Sequence, residues 1–228
     1  MRRIYCLHSM GKKAILLGAS GSIGSHLLQQ LLDSDQYSQV LILVRKTLDL
    51  HHPKLKELVL NFEELNKYSH ELTGDVVFCC LGTTKSKTPD EKEYRKIDYQ
   101  YPLDVAWIAQ TNGAESYHLV SSIGANKDSS VFYTRTKGEV ERDLKAVPFK
   151  NIHIYRPSAL DGERKEKRMV ETIVNAVMKV INPLLSGKFK KYRSIKTSIV
   201  ARAMLRQSLS AEKDIFIHES DQIQQLGE

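Results

Sequence analysis

Lys13-Ala-Ile-Leu-Leu-Gly-Ala-Ser-Gly-Ser-Ile-Gly-Ser-His-Leu-Leu-Gln-Gln-Leu-Leu32 decides how the rest of the chain is read. Ala14 to Leu17 is a short apolar run of the kind that forms a buried strand, and Ile23, Leu27, Leu28, Leu31 and Leu32 recur at helical spacing. Between the two stand Gly18, Gly21 and Gly24. A dinucleotide pyrophosphate needs such a turn: tight, with backbone open to the phosphates and a helix packed close to its strand. The N-terminus of that helix offers unpaired N–H groups and partial positive charge, with Ser20, Ser22 and Ser25 nearby as further donors. The Gly-x-x-Gly-x-x-Gly spacing is a variant of the usual dinucleotide fingerprint.

Outward from this turn, apolar runs alternate with helical patterns. Val40–Val44, Leu58–Leu60, Asp75–Leu81, Tyr117–Val120 and Asn151–Tyr155 read as strands. Tyr94–Gln110 reads as a crossover helix, and a second helix starts near Tyr133. That alternation predicts an α/β fold with a doubly wound parallel sheet, followed by a small C-terminal helical region. With 228 residues the expectation is a single domain, with residues 1–12 as an N-terminal arm and 158–196 as a small substrate-side insertion. Thr197–Ser208 and Ser220–Leu226 read as later helices, Ser220 as an N-cap, and Asp214–His218 as an edge strand.

Arg45 closes the second strand about 20 residues beyond the glycines, where a carboxylate selects NAD and an arginine accommodates the 2′-phosphate of NADP. Asn61 and Phe62, after the third strand, are expected near the adenine. Gly82-Thr83-Thr84 follows the fourth strand at the mouth where open sheets bind ligands.

Composition excludes several classes. The three cysteines, two of them adjacent in an apolar run, suggest neither a disulfide framework nor a zinc set, and the eight histidines show no metal-ligand spacing. No run approaches the roughly 20 apolar residues of a membrane span, and the first ten residues lack a signal-peptide core, which leads to the expectation of a cytoplasmic protein. A net charge of +7 fits an anionic cofactor. Lys188–Arg193 mixes basic and aromatic residues without any recognised nucleic-acid module, so nucleic acid is not an expected partner. Val170, Ile173, Val174, Val177, Met178 and Ile181 form one apolar helical face that suits either a cover for the cleft or a protein partner, a second copy included.

Chemistry is carried by Tyr133 and Lys137, one helical turn apart, and by Ser122 at the end of the neighbouring strand. An ammonium beside a phenol favours phenolate and brings tyrosine from its usual pKa of about 10 toward working pH, as a general acid or base. A serine hydroxyl can hold a substrate carbonyl beside it. The trio suits hydride exchange between a nicotinamide and a small carbonyl or alcohol.

With these residues in view, the chain resembles the short-chain dehydrogenase/reductase superfamily, in its atypical branch of Tat-interacting-protein-like NADP-dependent oxidoreductases. The matching stretches are Leu17–Gly24, Val44-Arg45, Asn61–Glu63, Phe78–Thr84, Leu119–Ser122, Tyr133 with Lys137–Glu141, Tyr155–Pro157 and Val200–Met204. The resemblance implies NADP across the strand ends, with Gly18, Ser20, Gly21, Ile23 and Gly24 at the pyrophosphate and Arg45 at the 2′-phosphate. It places Leu81, Gly82 and Thr83 near the ribose, Tyr133 and Lys137 at the nicotinamide ribose, and Pro157 to Leu160 beside the carboxamide. Asp98 stands where many members carry an asparagine of a proton relay. That departure and the short substrate region suit a second class as well, an NADP(H)-binding sensor or regulator with little catalysis.

Overall fold

The computed structural model describes residues 11–161 and 187–228. The N-terminal ten residues, the charge run at 162–168 and the apolar face from Val170 to Ile181 lie outside the described residues.

Seven parallel strands form the sheet: β1 (Lys12–Leu17), β2 (Tyr37–Val44), β3 (Leu55–Val59), β4 (Val76–Cys79), β5 (Ser116–Val120), β6 (Asn151–Arg156) and β9 (Ile215–Glu219), in the order β3-β2-β1-β4-β5-β6-β9. Two further short strands, β7 (Leu160–Asp161) and β8 (Ile195–Lys196), pair beside it. The helices are α1 (Ser22–Asp33), α2 (Glu91–Arg95), α3 (Tyr101–Thr111), α4 (Phe132–Leu144), α5 (Thr197–Gln207) and α6 (Ser220–Gly227).

Alternation along β1 divides the core. Ile15 and Leu17 face one layer with Leu103, Val105, Ala106 and Ala109 of α3 and Val140 and Leu144 of α4. Ala14 and Leu16 face the other, with the apolar stripe of α1, Val200 to Met204 of α5 and Ile223 of α6. A sheet covered on both sides needs continuous apolar strands, and Val40–Val44 is buried throughout. Strand order reverses between β1 and β4, which opens a crevice above their carboxyl ends.

Three elements differ from expectation. The third strand is Leu55–Val59, because Leu55 pairs with Val40 and Val59 with Val44 at the sheet edge. The crossover helix is interrupted by a π turn, Lys96–Gln100, between α2 and α3. Pro102, four residues beyond Asp98, has no N–H to close an α turn onto that carbonyl, so the helix widens there. α6 is capped by Glu219 in a capping box with Gln222, while the Ser220 hydroxyl accepts from the Ser158 N–H at 3.2 Å. Trp107 of α3 is about half exposed at 49%.

Candidate active site

The crevice at the switch point is a cavity of about 1060 Å³. Ser20, Gly21, Ser22 and Ile23 line one end, Leu81, Gly82 and Thr83 the middle, and Tyr133, Lys137 and Leu160 the other end.

At the first turn the glycines are required sterically. A Cβ on Gly24 would stand 2.1 Å from the Gly18 carbonyl oxygen, and Gly18 itself adopts φ +77° against the Cys80 backbone. These two do not line the cleft; they press α1 onto β1 so that the turn between them can. α1 begins at Gly21 without a side-chain cap and with no acidic residue in its first turn. Its free N–H groups open into the cleft as an anion site, and the residues present fit a dinucleotide pyrophosphate.

Asn61 and Phe62 are not brought to the cleft. The Asn61 side chain accepts from the Glu63 N–H as a helix cap, and Phe62 is buried with its ring stacked on Tyr101 at 5.1 Å. The apolar wall near this end comes instead from Leu48 and Leu50. Glu57 fixes that loop by accepting from Thr47 Oγ1 at 2.6 Å and from the Leu48 N–H. The signal was present as two leucines in an otherwise polar loop just past Arg45. Arg45 is exposed at the end of β2, and Pro157 is buried outside the cavity lining.

At the other end, Tyr133 is 41% exposed on the first turn of α4, and Lys137 is buried beneath it. Lys137 Nζ lies 2.8 Å from Asp98 Oδ1, and the Thr83 N–H donates to Asp98 Oδ2 at 2.8 Å. Burial opposes the Lys137 charge, but the Asp98 carboxylate and the Tyr133 phenol outweigh it, so its pKa is raised. Tyr94 donates to the Thr83 carbonyl at 3.2 Å, and burial raises its own pKa. Of the two serines after β5, Ser121 lines the cleft and donates to Glu141 Oε1 at 2.5 Å. The Ser122 hydroxyl is buried and makes no hydrogen bond within the described residues. Val131 and Phe132, passed over in the sequence, complete this wall.

The loop after β5 is held by Gly138, whose Cβ would stand 2.1 Å from the Lys127 nitrogen, and by the Asn126 N–H bonding to the Thr134 carbonyl at 3.0 Å. Cys79 is a buried free thiol, and Cys80, also free, borders the cleft. No cluster of histidine, cysteine or carboxylate residues suits a metal among the described residues. No helix among them is long and apolar enough to cross a membrane.

Comparison with known proteins agrees with this geometry. The NAD(P)H-binding family matches residues 18–177. Rat Protein HTATIP2 is 33% identical over 203 residues, 87% of this chain and 82% of that protein. Saccharomyces cerevisiae Protein FMP52, mitochondrial, is 36% identical over 159 residues, 68% of each chain. Among solved structures, Bordetella bronchiseptica WbmH in complex with NAD+ superimposes with a TM-score of 0.70 at 14% identity, over 92% of this chain and 76% of that one, a likeness of fold. The mitochondrial names of the fungal relatives overturn the expectation of a cytoplasmic protein. Lack of a signal-peptide core bears only on secretion, since mitochondrial targeting segments are amphipathic and basic. The turn, the strand order and these relatives agree: the chain belongs to the NAD(P)H-binding Rossmann-fold family, with HTATIP2 and FMP52 proteins as its homologues.

Proposed function

We propose that this protein is an NADP-dependent reductase of small carbonyl compounds, working also on the corresponding alcohols. The observation that carries the reading is a single cleft with an uncapped glycine turn at one end and Tyr133 above buried Lys137 at the other. Ser20, Gly21, Ser22 and Ile23 would hold the pyrophosphate, Arg45 the 2′-phosphate, and Lys137 the ribose of the nicotinamide. When bound, the reduced nicotinamide supplies hydride to the carbonyl carbon. Tyr133 gives the substrate oxygen its proton as negative charge develops on it, whereas Ser122, expected to hold that oxygen, is buried outside the cleft lining. Leu160 closes the carboxamide side.

Tyr133→Phe tests this. NADPH-dependent reduction of an aldehyde and ketone panel is expected to fall by about 100-fold or more, while NADPH still raises the thermal midpoint of the variant. Unchanged turnover would remove Tyr133 from the chemistry. Stabilisation by NADPH with no turnover by the native protein would instead assign the chain to cofactor sensing.

A further inference from the structure

The charged residues of the cleft are mostly cations. Asp98 is the only carboxylate among the described residues that line it, and both of its oxygens are engaged, Oδ1 by Lys137 Nζ at 2.8 Å and Oδ2 by the Thr83 N–H at 2.8 Å. Lys85 and Lys87, from the segment after β4, line the same cleft. Lys85 is held against the first turn of α4. Its Nζ stands 4.9 Å from the ring centroid of Phe132, the residue before Tyr133, and that ring meets Tyr94 edge-on at 5.3 Å. Tyr94 is fixed in turn by its bond to the Thr83 carbonyl. α4 begins here with no side-chain cap and no acidic residue in its first turn, so the field of the helix end adds to that of the ammonium.

Around this cation the wall is apolar and open. Val131 is 58% exposed and Tyr133 41%, and both line the cleft together with Phe132. We propose that Lys85 is a specificity-determining residue, and that the carbonyl compounds taken by this site have an apolar body ending in a carboxylate. The carbonyl meets Tyr133, the body lies on Val131 and Phe132, and the carboxylate accepts from Lys85 Nζ. An ammonium has three donors, and Lys85 gives one to Glu91 Oε1 at 2.6 Å. That pair is more than half exposed on both sides, so it is weak and need not break for a second acceptor to bind. Glu91 beside the same ammonium repels a dianion more than a monoanion, which favours a carboxylate over a phosphate. The carbonyl end of the substrate rests on the reductase reading; recognition of its anionic end does not.

The probes are 4-(hydroxymethyl)benzoate and benzyl alcohol, which differ only in the carboxylate, titrated calorimetrically into the full chain saturated with NADPH. An alcohol beside reduced cofactor cannot turn over, so the titration reads binding alone. The native protein is expected to bind the acid about fivefold more tightly than the neutral alcohol, a preference that narrows as salt is raised. Lys85→Gln should bring the ratio close to one, and Lys85→Glu should carry it below one. Equal affinities in the native protein, binding of neither alcohol, or a ratio unchanged in both variants would overturn the proposal. So would a loss of NADPH affinity in Lys85→Gln as large as its loss for the acid, which would put the lysine at the cofactor phosphates. A native protein that reduces neither 4-formylbenzoate nor benzaldehyde, yet prefers the acid in the titration, would sink the reductase reading and leave recognition of the carboxylate standing.

Discussion

Arg156 at the end of β6 grips the Glu141 carboxylate of α4 through Nε at 3.0 Å and NH2 at 2.6 Å. Glu141 also accepts from Ser121 Oγ, and Arg156 NH1 reaches Glu219, the cap of α6, at 3.2 Å. One buried carboxylate thus ties the exit of β5, which carries Ser121 and Ser122, to the helix that carries Tyr133 and Lys137. This accounts for the conjunction of Lys137-Gly-Glu-Val-Glu141 with Tyr155-Arg-Pro157.

Removing the charge from one partner of such a pair leaves the other uncompensated. Glu141→Gln is expected to lower unfolding free energy by about 3 kcal/mol, read as a lower urea midpoint at unchanged slope. A loss below about 0.5 kcal/mol would mean that solvent already screens the pair.

Legibility in the sequence followed how local each determinant is. The β1 turn and α1 could be read directly because glycine spacing and helical periodicity are confined to adjacent residues. Phe62 could not, because its partner Tyr101 arrives from the crossover, 39 positions later. Ser122 is the serine expected at the substrate, and the structure turns Ser121 to the cleft instead, for a related reason. Neighbouring residues leave a strand toward opposite sides, and the Ser121 N–H bonding to the Tyr155 carbonyl sets which one faces the cleft. Asp98 was visible as a departure from an asparagine, but its pairing with Lys137 needs a π turn, which periodicity does not encode. The capping box of α6 was written in Glu219-x-x-Gln222 and was overshadowed by the adjacent Ser220, itself a good cap type.

A ladder of histidines crosses β5, β6 and β9. His118 stacks on His153 at 4.6 Å and 3°, His153 on Phe216 at 4.8 Å, and Tyr155 on His218 at 5.0 Å. Tyr155 OH and Ser116 Oγ satisfy the two His118 ring nitrogens at 3.0 and 2.9 Å. Burial holds His118 well below the usual histidine range and pushes His153 and His218 down to about 4. In the unfolded chain these rings titrate near 6.5, so above that pH neither state takes protons and stability is full. Between about 6.5 and 4 the unfolded chain binds protons that the native state refuses, and stability falls with pH. His153→Phe, which keeps a ring in the stack, is expected to lose about 1–2 kcal/mol less than the native protein between pH 7 and 5. Parallel urea-midpoint curves for the two proteins over that range would exclude the ladder as the cause of acid lability.

Arg45 follows the last residue of β2, and its guanidinium has no hydrogen bond or ion pair among the described residues. Glu57, on the neighbouring strand β3, is engaged by Thr47 and Leu48. Arg45 can therefore meet a 2′-phosphate without first breaking an internal contact, and charge-assisted hydrogen bonds to such a group contribute about 1.5–3 kcal/mol. Arg45→Ala is accordingly expected to raise the Kd for NADPH by about tenfold or more and to leave the Kd for NADH within about twofold. Raised salt should narrow the NADPH preference of the native protein, because an exposed arginine is screened. Equal weakening of both cofactors would place Arg45 at a group they share, such as the pyrophosphate. No change in either would leave the neighbouring Lys46 as the cation positioned to discriminate between them.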